Sequence, residues 1–349
     1  MTREMTRYFI SANTERGFYS LYEKVFTNGD FDRIFVIHGG PGTGKSTLMR
    51  AVASAVREKG ADCTEILCSS DPHSLDGLII EKNGKKIGVL DGTPPHGRII
   101  SEPEVKETLW NVCNFITREK LELHREEIRK HAKEKKGSYQ RAYSLLSAAG
   151  ALKRYLAKKE AENLNEEKLL AHIERGTRAL KEEGEAKELF IRAISSTGSY
   201  IAPALTDLSK NIVLLCGKPE SAEIYLSYLS DALKKKKIAH TRFSSPLVPE
   251  ILDAIFIKES STLYLNASLW EDINAKKRIH MSRFFEKSPT REERKIRSLC
   301  EKTVSEAYEA LKKAGSSHRA LEEIYASAMN FKRMEKTRQI WIADVLSLL

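Results

Sequence analysis

The chain has 349 residues, 41% of them hydrophobic and 30% charged, with a formal net charge of +10. This suits a soluble globular protein of about two domains with charged helices. No apolar run is long enough to span a bilayer, and Met1 to Arg7 is polar with no signal-peptide core, so the simplest expectation is a cytoplasmic protein.

In chain order, Tyr8 to Tyr19 reads as a short strand with a turn at Gly17. Ser20 to Phe26 reads as helix, broken at Asn28-Gly29-Asp30. Residues 34 to 47 then combine an apolar run, a glycine-rich turn and a helix start. Ile34 to Ile37 fits a buried parallel strand. Gly39-Gly40-Pro41-Gly42-Thr43-Gly44-Lys45-Ser46-Thr47 follows, and its spacing is G-x-x-x-x-G-K-[ST], the Walker A pattern. The glycines allow positive φ and close backbone approach, and successive N–H groups at a helix N-terminus form an anion-binding nest. Lys45 is the residue to reach the β- and γ-phosphates of ATP, and the Ser46 hydroxyl the one to sit on Mg²⁺. Leu48, Val52, Ala55 and Val56 recur at helical spacing before a stop at Gly60.

Thr64 to Cys68 predicts the next strand. The loop Ser69-Ser70-Asp71-Pro72-His73-Ser74-Leu75-Asp76-Gly77 follows at its end, where open α/β sheets bind ligands. Ser69, Asp71, His73 and Asp76 are therefore candidates, against a plain capped turn. Asn83-Gly84 signals a hairpin between Leu78–Glu81 and Lys86–Leu90. The second arm ends in Asp91, a Walker B pattern, so Asp91 is the second Mg²⁺ candidate. Gly92 stands where many motor-type ATPases carry a glutamate that orients water. Thr93 and His96 are candidates for the γ-phosphate or an acceptor, with an ordinary loop histidine slightly favoured for His96.

From Ser101 to Lys187 the chain reads as long helices, Glu104–Lys135 and Ser138–Lys159, punctuated at Gly137. The bland reading is a solvated face. The functional one is a lid, with Arg98, Arg118, Arg125 and Arg141 as its arginines.

The opening phrase returns. Phe190-Ile191-Arg192-Ala193 and Gly198-Ser199-Tyr200 repeat Phe9-Ile10-Ser11-Ala12 and Gly17-Phe18-Tyr19 at an offset of 181. Gly217 to Ile257 matches Gly40 to Ile80 at an offset of 177. This predicts a tandem duplication of one α/β unit. Opposite Gly42, Gly44, Lys45 and Ser46 stand Pro219, Ser221, Ala222 and Glu223, and opposite Asp91 stands Asn266. The second loop keeps the fold and loses the ligand. Arg319-Ala320 and Phe331-Lys332-Arg333 echo Arg141-Ala142 and Leu152-Lys153-Arg154, which predicts a helical hairpin insert in both halves.

The five cysteines, Cys63, Cys68, Cys113, Cys216 and Cys300, lack C-x-x-C spacing, which argues against a disulfide framework or zinc site. No basic patch is interleaved with aromatics, which argues against nucleic acid.

The layout resembles a bacterial family of tandem P-loop proteins described as nucleotide-kinase-related ATPases. The shared residues are the Phe9 to Tyr19 phrase, the Gly39 to Thr47 loop, Ser69 to Gly77, and Asp91-Gly92-Thr93-Pro94-Pro95-His96. The resemblance implies ATP and Mg²⁺ but names no substrate. In such families the second loop can be intact, whereas here it is degenerate. The expected fold is two tandem P-loop NTPase-like three-layer α/β/α domains, residues 1–187 and 188–349, with mainly parallel sheets and a long helical insert in each. Three functions compete: a slow or partner-activated Mg²⁺-dependent ATPase, a kinase passing the γ-phosphate to a nucleotide or other small-molecule acceptor, and a non-hydrolysing scaffold. The glycine after Asp91 weighs against the first, the lack of a recognisable acceptor pocket against the second, and the retained lysine, serine and aspartate against the third.

Overall fold

The computed structural model describes residues 7–95, 100–202, 209–270, 273–286 and 289–349. The chain enters as β1 (Arg7–Tyr8), a hairpin of β2 (Ser11–Thr14) and β3 (Gly17–Ser20), and one turn of helix α1 (Tyr22–Val25). Gly17 turns the hairpin with φ 95, where the sequence places a turn. Next come β4 (Arg33–His38), α2 (Lys45–Glu58), β5 (Asp62–Leu67), β6 (Leu75–Lys82), β7 (Lys85–Asp91) and β8 (Glu107–Asn111). They form a six-stranded sheet in the order β1-β5-β6-β7-β4-β8. Leu48, Met49, Val52, Ala53 and Val56 form the buried stripe of α2, which packs on β5 and β6.

The sheet is mixed: β6 alone runs against the other five strands. The reason is the Asn83-Gly84 turn. Both residues have positive φ, 51 and 79, the two-residue hairpin geometry that suits the twist of antiparallel strands. It pairs β6 antiparallel with β7, and β6 is also antiparallel to β5. The other three pairings, β1–β5, β4–β7 and β4–β8, are parallel, as the sequence predicts for most of the sheet.

Helices α3 (Arg118–Leu123), α4 (Arg125–Ala161) and α5 (Glu166–Thr177) follow. After them come β9 (Ala186–Leu189), a hairpin of β10 (Arg192–Ser195) and β11 (Gly198–Ile201), β12 (Asn211–Cys216), α6 (Pro219–Lys235), β13 (His240–Ser244), β14 (Leu252–Ile257), β15 (Thr262–Asn266) and β16 (Lys277–His280). The chain ends in α7 (Arg291–Ala328) and α8 (Phe331–Ser347). The second sheet has the order β16-β12-β15-β14-β13-β9, the first order read from its other end. Registers correspond too. Ile66 pairs with Gly77 before an irregularity at Leu67, and Phe243 pairs with Ala254 before one at Ser244. The two sheets' entry segments meet at Phe9 and Phe190, whose N–H groups each donate to the other's carbonyl at 2.9 Å.

Three sequence expectations are corrected here. Glu104–Ile116 is not α-helix: a strand and a short 3₁₀ turn, Val112–Phe115, occupy it. Its centre is β8, with Leu109 exposed and Trp110 buried in strand alternation, and Trp110 stacks on Trp341 of α8 at 5.2 Å. The buried Glu107 carboxylate accepts the Ser101 and Glu102 N–H groups, which fixes the turn into that strand. Gly137 does not interrupt anything: α4 runs through it for 37 residues. The helices also correspond differently from the Arg141/Arg319 echo. Asn165 caps α5 and Asn330 caps α8, each side chain accepting a backbone N–H three residues on. Gly150 of α4 and Gly315 of α7 receive the tips of the two hairpins, Glu15 and Ser196. Both pairs stand 165 positions apart, which matches Lys153 with His318 and Arg154 with Arg319.

The helices are not local hairpins either. α4 and α7 lie against each other along a seam containing Ala142, Ala149, Ala307 and Ala310. α5 then packs on α6, and α8 packs on α2. Each pair of helices thus completes the layer over the other sheet. No helix among the described residues is long and apolar enough to cross a membrane.

Candidate functional site

The glycine loop connects β4 to α2 at the carboxyl ends of the parallel strands β4 and β7. Gly42 and Gly44 have φ 67 and 87, and Gly44 is the N-cap of α2. The Lys45 ammonium donates to the carbonyls of Gly39 and Gly40 at 3.0 and 2.7 Å and lies 3.6 Å from Asp91 Oδ2. Thr43 Oγ1 donates to the Gly40 carbonyl at 2.8 Å. Ser46 Oγ accepts the Leu75 N–H at 3.0 Å. Thr93 ties the two strand ends together: its N–H donates to Asp91 Oδ1 and its hydroxyl to the Gly39 carbonyl. Thr47 is exposed, and Pro41 faces a cavity described below.

Gly92 has a steric reason to be glycine. A Cβ there would lie 2.4 Å from Val36 Cγ1. The loop's outer side is closed by the second long helix in the same way. A Cβ on Gly42 would lie 2.1 Å from the Glu322 carbonyl oxygen of α7, and one on Gly40 3.2 Å from the Tyr325 ring.

The other candidates divide. Ser69 is buried and accepts from Ser11 Oγ at 3.1 Å, a structural contact. Asp71 accepts the His73 N–H within its own turn, the capping reading, and the exposed His73 ring lies edge-on to Tyr200. Asp76 is buried, and burial, reinforced by Asp76, pushes the Cys68 thiol well up. Arg118 and Arg125 pair with Glu122, and Arg141 with Glu306, all on the surface. His96 and Arg98 lie outside the described residues.

The polar groups that do reach the loop come from α4 and α7, and no motif marks them. Lys135 donates to His318 Nδ1 at 2.9 Å, and His318 Nε2 lies 3.6 Å from Glu322 Oε1. Burial and the nearby Lys135, Lys45 and Arg319 push His318 down to about 4. Burial lowers Lys135 as well. Glu322 is raised, by burial and by Asp71. His318 is therefore neutral at pH 6, and its ring accepts from Lys135 through Nδ1. An NMR titration of this imidazole is expected to show a midpoint near 4, well below the ordinary value near 6.5. Lys135→Met should move it upward. A midpoint of ordinary value in the unaltered protein would remove Lys135 from its neighbourhood.

The corresponding turn in the second half is built differently. Leu215 pairs with Asn266 as Ile37 pairs with Asp91, so strand positions correspond at 178 and Gly217 falls opposite Gly39. The helices α2 and α6 end at Glu58 and Lys235, 177 apart, but α6 begins at Pro219, three residues before the match of Lys45. The loop residues have wound into the helix, with proline at its first position, where its missing N–H costs nothing. Lys153 of α4 enters this turn, 2.7 Å from Glu223 and 3.2 Å from Glu220. Arg297 also pairs with Glu220, and Lys218 and Ser221 hold Glu160.

Comparison with family profiles, curated proteins and solved structures finds no match to this chain.

Proposed function

We propose that the first half binds ATP at the Gly39–Thr47 loop and uses its γ-phosphate in a Mg²⁺-dependent reaction, while the second half is a degenerate tandem copy that binds none. One observation carries this reading: Lys45 and Asp91 meet 3.6 Å apart at the carboxyl ends of two parallel strands, with Ser46 the next residue of α2. The donor set fits magnesium. A hydroxyl, one carboxylate and the phosphates themselves are the hard oxygen ligands that Mg²⁺ takes alongside its waters, and Ser46 and Asp91 are the residues to hold it. Bound there, the ion neutralises charge on the phosphates. The chain's own part is to cradle phosphate with the loop N–H groups and to place Lys45 on the β- and γ-oxygens.

Hydrolysis and transfer remain the two uses of that phosphate. Gly92 supplies no water-orienting carboxylate, which supports slow or partner-activated hydrolysis at most. A cavity of about 580 Å³ beside Pro41 and Thr93 supports transfer to an acceptor. Glu322, whose main chain packs on Gly42 and whose carboxylate lies 3.6 Å from His318, is the acid that supports the hydrolytic reading.

Calorimetric titration with Mg²⁺ and a slowly hydrolysed ATP analogue tests the assignment. One nucleotide per chain is expected. Asp91→Asn is expected to keep part of that binding and lose Mg²⁺-dependent turnover. A stoichiometry of two, reduced to one by replacing residues 217 to 223, would show a live second site.

A further inference from the structure

We infer that the cavity between the glycine loop and the two long helices is the acceptor site, shaped for a nucleoside monophosphate: a flat ring carrying its own phosphate. The inference rests on ATP binding at the loop.

Position is the first argument. Pro41 and Thr93 form the floor of the cavity, Lys135, Tyr139 and Tyr143 of α4 one wall, and Tyr325 of α7 another. Thr93 follows Asp91 by two residues and donates its N–H to the Asp91 carboxylate. The cavity therefore opens at the end of the loop where a metal-held γ-phosphate lies, not at the far end of the nucleotide. Its volume, about 580 Å³, lies within the range of small-molecule sites.

The walls give the chemistry. The rings of Tyr139 and Tyr143 are stacked with centroids 5.8 Å apart. Their hydroxyls are already committed, Tyr139 to Ser70 Oγ at 3.0 Å and Tyr143 to Asn13 Oδ1 at 2.9 Å. What they offer the cavity is ring surface at little entropic cost, which favours a flat aromatic ligand. Lys135 supplies the other half. Its described partner is the His318 ring, a neutral acceptor, and among the described residues no carboxylate lies within the 4 Å of an ion pair. Burial pushes the Lys135 ammonium down, and the charge of Lys45 adds to that. The Lys135 ammonium lines the cavity without an ion-pair partner among the described residues, and a ligand with an anionic group stabilises it.

A phosphate acceptor also balances the reaction without a protein base. An oxygen of its ionised phosphate forms the new bond to the γ-phosphorus. The bond from that phosphorus to the β–γ bridging oxygen breaks, and its electron pair leaves on ADP. No proton has to move.

The test measures ADP formation by the full chain from Mg²⁺-ATP, alone and with AMP, CMP, GMP or UMP, and identifies the nucleoside diphosphate product by chromatography. At least one monophosphate is expected to raise ADP formation by about tenfold and to appear as its diphosphate. Lys135→Met and Tyr139→Leu are each expected to raise the KM for that acceptor by about tenfold or more, the loss of one charged or stacking contact, with ATP affinity changed by less than about threefold. ATP binding without acceptor binding or stimulation by any of the four overturns the inference and leaves the loop assignment standing. Lys135→Met weakening ATP and not the acceptor also overturns it, since the lysine then belongs to the γ-phosphate. Failure to bind ATP at all sinks the loop assignment first, and this inference with it.

Discussion

Lys45→Ala is expected to lower ATP affinity by about a hundredfold or more and to abolish turnover, the scale of losing charge-assisted bonds to two phosphates. The side chain is already placed for this. It is 12% exposed, bonded to two loop carbonyls, and 3.6 Å from Asp91. Its carbonyl partners are neutral, so an arriving phosphate oxygen offers the ammonium a stronger acceptor in the same place. The fold should survive the change, because the loop shape is held independently by Thr43 on Gly40 and by Thr93 on Gly39. Fluorescent-nucleotide titration and a melting curve separate the two effects. Unchanged affinity in a folded variant would sink the nucleotide assignment.

What the sequence shows plainly is what local backbone chemistry dictates. The glycine loop, the Asn83-Gly84 turn and the aspartate at the end of β7 each follow from a few adjacent residues, and the structure has all three. The loss of the second loop was legible for the same reason: Pro219, Ala222 and Glu223 are local substitutions. Two things were not legible. β8 reads as helix because Glu107 and Leu109 are good helix formers inside a charged run, and pairing with β4 overrides that propensity. The cluster of Lys135, His318 and Glu322 is set by the crossing of α4 and α7, with residues some 180 positions apart brought together. No periodicity within either helix reports which partner it will cross, so a lysine, a histidine and a glutamate there look like any solvated face. The expected lid arginines failed on the same ground: Arg118, Arg125 and Arg141 sit on that solvated face.

Lys153→Met is expected to destabilise the protein by about 3–5 kcal/mol, the cost of removing one partner from a buried ion pair. Lys153 reaches into the turn of the second half, where Glu220 and Glu223 are almost wholly buried. Burial opposes the lysine's charge, yet Glu223 and Glu220 hold its ammonium above the usual range. Glu223 depends on it more than Glu220 does, because Arg297 also pairs with Glu220. Even with Lys153 beside it, burial raises Glu223 to about 7. Without the lysine its folded value rises further above the value of 4.5 in the unfolded chain. A carboxyl raised on folding costs stability when ionised, so the deficit against the unaltered protein should be full at alkaline pH. It should shrink as pH falls through the variant's raised value and be gone below about 7, where the carboxyl of the unaltered protein protonates as well. Urea unfolding at pH 8 and pH 5.5 reads both effects, and adding Glu223→Gln to Lys153→Met should restore most of the loss by removing the stranded charge. A single variant within about 1 kcal/mol of the unaltered protein would mean that this pair does not hold the turn. The same helix position also separates the two turns electrostatically, in line with the proposal that only the first binds phosphate. Lys153 of α4 and His318 of α7 occupy matching places, 165 apart, over the two turns. In the second half the arm brings a cation that its own carboxylates neutralise, so the turn is closed electrostatically and sterically. In the first half the arm brings a neutral imidazole, which accepts from Lys135 without neutralising its charge at the cavity wall.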